Sequence, residues 1–260
     1  ESEYLFETSK EGITFMPLKV NNLSNHLFKY ADKVILMSAT IIDPVNFCKT
    51  LGINKFKYVE AESSFSAEKA PIYCNTKIKL NYHNLKRSLP KIIKQVEGIC
   101  EHHKNDKGII HTHNNTIFSF FSLQTYPFLQ KKLFNERFLF REPGVRNEEI
   151  LDIHLTNDKP TVLISPSMSH GVDLKDDLAR FQIIIKAPYL PTKDKRIERL
   201  MKDDFNWYSN KMLCSVIQSC GRGVRSKKDH CITYILDGAV VESVVNNKHK
   251  LPKYFIDRFL

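Results

Sequence analysis

At 260 residues, 42% hydrophobic and 26% charged, the chain has room for one large domain or one and a half and for a core of its own, and no apolar run approaches the roughly 18 residues of a membrane span. Transmembrane, collagen-like and disordered classes are excluded on these values. Six cysteines (48, 74, 100, 214, 220 and 231) never form C-x-x-C, which excludes a zinc ribbon and a local iron–sulfur loop, and the net charge of +10 attracts polyanions such as nucleic acid.

In chain order, Lys33 to Met37 is the first apolar run of strand length. Glu60 to Pro71, where Glu, Ser, Ala and Lys replace apolar residues, reads as a linker, which places a boundary near residue 67 and divides the chain into 1–66 and 67–260. Leu85 to His103 has helical periodicity through Leu85, Leu89, Ile92, Ile93, Val96 and Ile99, with Pro90 expected to start or kink it. A strand is expected over Ile109 to His113, a helix over Ile117 to Phe134, and strands over Thr161 to Ser165 and Phe181 to Lys186. A long helical stretch, Lys193 to Val224, precedes a last strand, Cys231 to Leu236. Most of these strands are apolar at consecutive positions, so both sheet faces should be covered, as in parallel sheets. The expected fold class is α/β, with right-handed crossovers and ligands at the carboxyl ends of the strands. The cysteines read as reduced thiols of an intracellular protein, cytoplasmic or nuclear and not secreted. The start at Glu1, with no initiator Met and no basic-then-apolar leader, reads as a piece of a longer chain.

Three constellations carry candidate chemistry. Val34 to Thr40 is an apolar run ending in Ser38-Ala39-Thr40, hydroxyls that either bond across a cleft or close an ST-turn. Thr161 to Ser165 runs into Pro166-Ser-Met-Ser-His170-Gly171-Val172-Asp173-Leu174, small residues whose amides and hydroxyls suit phosphate oxygens or, in the bland reading, cap a helix. Gln218-Ser-Cys-Gly-Arg222-Gly-Val-Arg225 is the sharpest: continued as a helix, it places Gln218, Arg222 and Arg225 on one face, an amide and two guanidiniums suited to a dense anion. The alternative is a solvated cationic helix end. The sequence contains no G-x-x-x-x-G-K-[ST] loop, and Asp237 is followed by Gly238 where a Walker B strand carries a second acid. These residues do not make a self-sufficient ATPase.

Taken in order, the motifs resemble the motor of superfamily 2 helicases, specifically the XPD/DinG-like iron–sulfur group, from motif III to motif VI. Leu36-Met-Ser38-Ala39-Thr40 resembles motif III, Pro44 to Gly52 the helix that ends the first lobe, and Ser63-Ser64-Phe65 the crossover linker. Gly108 to Asn114 is similar to motif IV, with His111 and His113 in place of the usual apolar and hydroxyl residues. Ser169 to Leu174 is similar to motif V, and Gln218 to Arg225 to motif VI, Q-x-x-G-R-x-x-R. The resemblance implies a RecA-like second motor lobe over 67–260, with 1–66 closing the first lobe. It further implies ATP and Mg2+ as cofactors, the metal held mainly by the first lobe, and no metal site here; a [4Fe–4S] cluster would belong to an upstream region. Arg222, Arg225 and Gln218 would be catalytic, with Gly171 and Asp173 joining them around the nucleotide. Thr112, His113, Asn114, Ser167, Ser169 and His170 would approach single-stranded DNA, while Ser38 and Thr40 couple hydrolysis to movement; Lys193, Lys195 and Arg196 either add electrostatic attraction or belong to a solvated charged helix. The implied partners are single-stranded DNA and the first motor lobe, with no membrane, in a monomer moving 5′ to 3′. A non-catalytic nucleic-acid-binding module and an RNA helicase lobe are the competing readings.

Overall fold

A computed structural model describes residues 4–74, 76–122, 137–140, 144–166, 174, 176–226 and 228–260. The chain forms two compact units, one of residues 1–61 with 189–214 and one of residues 62–188 with 215–260.

The first unit opens with strands β1 (Tyr4–Ser9) and β2 (Gly12–Pro17), which pair antiparallel with Phe6 opposite Phe15. Neither strand is anticipated above, because the turn between them, Lys10-Glu11, lacks the Asn-Gly or Asp-Gly signature of a two-residue hairpin. Two short helices follow, α1 (Asn25–Phe28) and α2 (Pro44–Thr50). Asp43 caps α2 by accepting the Asn46 N–H at 2.9 Å, and Pro44 stands at its first position, where its missing donor costs nothing.

The strand expected over Lys33 to Met37 is corrected: the segment is irregular, with Ile35 and Met37 almost fully exposed. A β-run needs a neighbour to take its backbone donors, and β1 and β2 pair only with each other among the described strands. The stretch from Lys193 to Val224 is likewise two helices, α6 (Lys195–Asp203) and α7 (Phe205–Cys220). Asp204 separates them, its Oδ1 accepting the Trp207 N–H at 3.0 Å and its Oδ2 accepting from the Asn46 side chain at 3.1 Å.

The second unit is a six-stranded sheet in the order β3-β8-β7-β4-β6-β5, parallel at every pairing. Its strands are β3 (Ile72–Tyr73), β4 (Gly108–His111), β5 (Phe138–Phe140), β6 (Val162–Ser165), β7 (Phe181–Ile184) and β8 (Ile232–Ile235). The intervening helices are α3 (Leu85–His102), α4 (Asn115–Ser122) and α5 (Asn147–Thr156), followed after β8 by α8 (Gly238–Asn246) and α9 (Lys253–Ile256). This is the α/β sheet the apolar runs call for. Residues β4, β6 and β7 are buried at every position, which is why their runs do not alternate. The apolar stripe of α3 is buried against Ile110, Ile164 and Ile183, and the helix starts five residues ahead of Pro90. Of the helix expected over Ile117 to Phe134, α4 accounts for the beginning; residues 123–134 lie outside the described set.

Buried polar side chains tie the crossovers to the sheet. Arg137, ahead of β5, donates to the carbonyls of Cys100, Asp106 and Pro160 at 2.7–3.1 Å, joining the end of α3 to the loops before β4 and β6 at the amino edge. His154 in α5 donates from Nε2 to the Leu178 carbonyl at 2.9 Å, so its Nδ1 accepts from the Thr161 hydroxyl at 2.8 Å. Burial pulls its pKa below the ordinary value. At the carboxyl edge, Asp237 is fully buried and accepts from the N–H groups of Leu80 (3.1 Å), Ala187 (2.9 Å) and Ala239 (3.0 Å).

Two outcomes follow from these anchors. Asp237→Ala strands buried donors and should lower the unfolding free energy by about 3 kcal/mol in urea titration. Because the folded-state pKa of His154 lies below its unfolded value, the unfolded chain takes up the proton first; stability should therefore fall as pH drops through about 6.5, and His154→Gln should flatten that dependence in thermal melts.

Candidate functional site

In a right-handed β-α-β crossover the helix runs back against the strands, so the end of α7 emerges at the amino edge of the sheet, ahead of β8. The sharpest motif, Gln218 to Arg225, therefore sits at the edge opposite the one singled out from the α/β rule. It is also not a continuous helix face. α7 ends at Cys220; the N–H of Gly221 bonds the carbonyls of both Ile217 and Gln218, and the N–H of Arg222 bonds Ser219 at 3.1 Å, a tightened last turn. Gln218 is half-buried in that turn, Arg222 half-buried just beyond it, and Arg225 exposed on the following loop.

What holds this loop is a residue sequence reasoning passed over, Asp229. Its side chain is fully buried and uses both oxygens: Oδ1 accepts from Arg180 Nη1 at 2.7 Å and the His230 N–H at 2.9 Å. Oδ2 accepts from the N–H groups of Arg225 at 3.1 Å and Asp176 at 3.2 Å. One carboxylate thus joins the arginine loop to the turn that precedes β7. Asp176 has φ +57°, a left-handed conformation that costs a non-glycine residue energy and that this hydrogen bond helps to hold. The available signal was a lone acid in the basic run Arg225-Ser-Lys-Lys-Asp229-His230.

Two further features restrain the segment. A Cβ on Gly223 would stand 2.3 Å from Cys231 Sγ and 3.0 Å from the Ala179 carbonyl, so only glycine fits there. The buried Arg258 guanidinium donates to the Cys220 carbonyl at 2.9 Å, capping the end of α7. Burial pushes the thiols behind the loop up, Cys220 to about 11 and Cys231 to about 12, so both are neutral packing groups rather than nucleophiles. Arg222 and Arg225 thus lie on a loop whose backbone is anchored to the sheet, and guanidiniums are groups suited to phosphate oxygens.

Thr112, His113 and Asn114 stand at the other edge, after β4. Thr112 is buried, its N–H bonding the Ser165 carbonyl at 3.0 Å. His113 has φ +49° and stacks on His111 with ring centroids 5.6 Å apart. The Asn114 side-chain oxygen accepts the Ile117 N–H at 3.0 Å, so that oxygen serves the start of α4. Ser167, Ser169, His170, Gly171 and Asp173 lie outside the described residues.

Ser38 and Thr40 belong to the other unit. The Ser38 hydroxyl accepts the Thr40 N–H at 3.2 Å, the ST-turn, and the Thr40 carbonyl accepts from Cys214 Sγ. Among the described residues, no cluster of His, Cys, Asp and Glu is arranged to hold a metal ion, and no helix is long and apolar enough to cross a membrane.

Comparison with known proteins matches residues 107–256 to the helicase C-terminal domain, a span from the start of β4 to α9 that includes both edges described above. The chain is 30% identical over 141 residues to the ATP-dependent DNA helicase CHL1 of Candida albicans, covering 44% of this chain and 17% of that protein. It is 24% identical over 261 residues to the CHL1 helicase of Scheffersomyces stipitis, covering 91% of this chain and 30% of that protein. A solved XPD helicase structure superposes with a TM-score of 0.64 at 16% identity, over 95% of this chain and 47% of that one, and shares its fold. The chain thus spans a minor part of the relatives it matches.

The split between the buried Asp229 and the exposed Arg225 has a measurable consequence. Asp229→Ala removes one partner of a buried ion pair and should cost about 3–5 kcal/mol. Arg225→Ala, an exposed change, should stay within about 0.5 kcal/mol of the parent when the two are compared by urea unfolding.

Proposed function

The chain belongs to the helicase C-terminal domain family, and from that premise we propose that it is the second motor lobe of an ATP-dependent DNA helicase of the XPD/DinG-like group, moving 5′ to 3′ on single-stranded DNA. The observation that carries the reading is the pinned loop of Arg222 and Arg225, with Gln218 in the turn before it. Charge that develops on a transferring phosphoryl group is stabilised by donors already in place, and a loop fixed through Asp229, Gly223 and Arg258 undergoes little reorganisation when the phosphate arrives. In this reading Arg225 is the arginine finger, Arg222 binds the phosphates, and Gln218 orients the attacking water.

Gly171 and Asp173 complete the nucleotide contacts in the proposal. Thr112, His113 and Asn114, with Ser167, Ser169 and His170, lie along the DNA. Residues 1–66 close the first lobe, with Ser38 and Thr40 coupling hydrolysis to lobe movement, and 67–260 form the second. ATP is the substrate. Mg2+ is the metal that neutralises its phosphates when bound, held mainly by carboxylates of the first lobe; the arginines here are the complementary cations. An iron–sulfur cluster, where the full protein carries one, lies upstream. The working partners are single-stranded DNA and the first lobe, in a monomeric intracellular protein.

The test is ATP turnover of the full-length protein with and without single-stranded DNA. DNA-dependent turnover should fall on the order of 10³-fold in Arg225→Ala, and the isolated chain should hydrolyse essentially no ATP. Turnover indifferent to Arg225→Ala contradicts the finger assignment. No turnover from the full protein favours a non-catalytic binding module, and stimulation by RNA in preference to DNA an RNA helicase.

A further inference from the structure

The chain's positive charge is not spread evenly over its helices. α6 carries Lys195, Arg196, Arg199 and Lys202, and acids on the same helix neutralise two of them: Lys202 pairs with Glu198 at 2.6 Å and Arg199 with Asp203 at 3.3 Å. α3 carries Lys86, Arg87, Lys91 and Lys94 within its first ten residues, all exposed, and among the described residues none of the four makes an ion pair or a side-chain hydrogen bond.

Two of them occupy an unfavourable place. Lys86 and Arg87 sit in the first turn of an 18-residue helix, where the macrodipole is positive and acids are preferred, yet that turn contains no acid and no side chain caps it. The residue that would normally cap, Asn84, is engaged outward: its Oδ1 accepts the Asn81 N–H at 3.0 Å and its Nδ2 donates to the Lys79 carbonyl at 2.5 Å. Just ahead, Tyr82 is 92% exposed and meets the His83 ring edge to face at 5.7 Å. A large aromatic left in water beside four uncompensated cations and an uncapped helix start matches the requirements of a single strand of nucleic acid: phosphates for the cations, a base for the ring.

The position of this group is set by the fold. Leu80 donates its N–H to Asp237, which follows β8, and its carbonyl accepts from the Lys186 ammonium, which follows β7. The start of α3 is therefore fastened to the carboxyl edge of the sheet. In strand order β7 adjoins β4, whose end carries Thr112 to Asn114.

We propose that Tyr82 and the first turns of α3 form an additional binding site for single-stranded DNA, with Lys86 and Arg87 on backbone phosphates, Lys91 and Lys94 extending the track, and Tyr82 stacking on a base. The inference rests on the helicase reading above for the identity of the polymer.

The experiment is fluorescence anisotropy of the full-length protein with a labelled oligo-dT across a salt series, alongside DNA-stimulated ATP turnover. Lys86→Gln/Arg87→Gln should weaken binding at least tenfold at low salt and make the slope of log affinity against log salt shallower by about 1.4, about 0.7 per phosphate contact. Tyr82→Ala should weaken binding about tenfold and leave the slope unchanged. Arg199→Gln/Lys202→Gln, which removes the two paired cations of α6, matches the change in net charge and should change affinity less than twofold. Equal effects from the α6 pair and the α3 pair, or wild-type affinity and slope in the α3 variants, overturn the proposal. A parent protein that binds oligo-dT with DNA-stimulated turnover while the α3 variants match it defeats this site alone. A parent that binds no oligo-dT, or prefers the matching RNA, defeats the underlying reading instead.

Discussion

A carboxylate with no exposed surface has to be satisfied on both oxygens, and that requirement organises the second unit around Asp229. Its two oxygens take an arginine and three backbone N–H groups from segments about 50 residues apart in sequence. The arginine loop therefore cannot move independently of the turn before β7 without uncovering a buried charge. Asp237 acts comparably at the other end of the same strand. β8 is only four residues long, so the anchor of the arginine loop and the anchor of the start of α3 stand just beyond its two ends. An apolar pair at these positions would pack well, but it would leave at least six backbone donors near the two edges without their present acceptor.

Where hydrophobic pattern alone decides structure, the sequence was legible. Continuous apolar runs gave β4, β6, β7 and β8 to within two residues, and the 3.6-residue stripe gave α3 almost to its ends. β3 and β5 are too short to carry a periodic signal, and their places come from the buried partners they pair with, β8 and β6. Lys33 to Met37 shows the converse: an apolar, β-branched run that pairs with none of the described strands stays irregular, because propensity describes a fit to neighbours and not an intrinsic backbone state. The candidate site divides in the same way. Q-x-x-G-R-x-x-R was readable as a spacing, whereas its geometry was not, since helix periodicity puts Arg222 and Arg225 on one face and the tightened turn at Gly221 removes them from it. Asp229 was invisible because an acid's worth depends on burial and on which donors converge on it.

The contrast between α3 and α6 bears on what a charge of +10 means for this protein. Net charge is a property of composition, and a pair such as Lys202 with Glu198 adds little field beyond its own neighbourhood. The excess that acts at a distance comes from cations with no acid beside them, and on α3 two of these, Lys86 and Arg87, stand at the positive end of the helix dipole, where each adds to the field instead of opposing it. Such an arrangement weakens the isolated helix by a few tenths of a kcal/mol per charge, a cost the fold offsets by burying Leu85, Leu89, Ile92, Ile93 and Val96 on the opposite side. A polyanion arriving at the carboxyl edge reverses the sign of that term: the cations gain partners, the uncapped N–H groups gain acceptors, and counterions held by the polymer are released. The electrostatics of α3 are unfavourable only in the absence of such a partner, and the burial of its apolar stripe against the sheet holds the helix in place meanwhile.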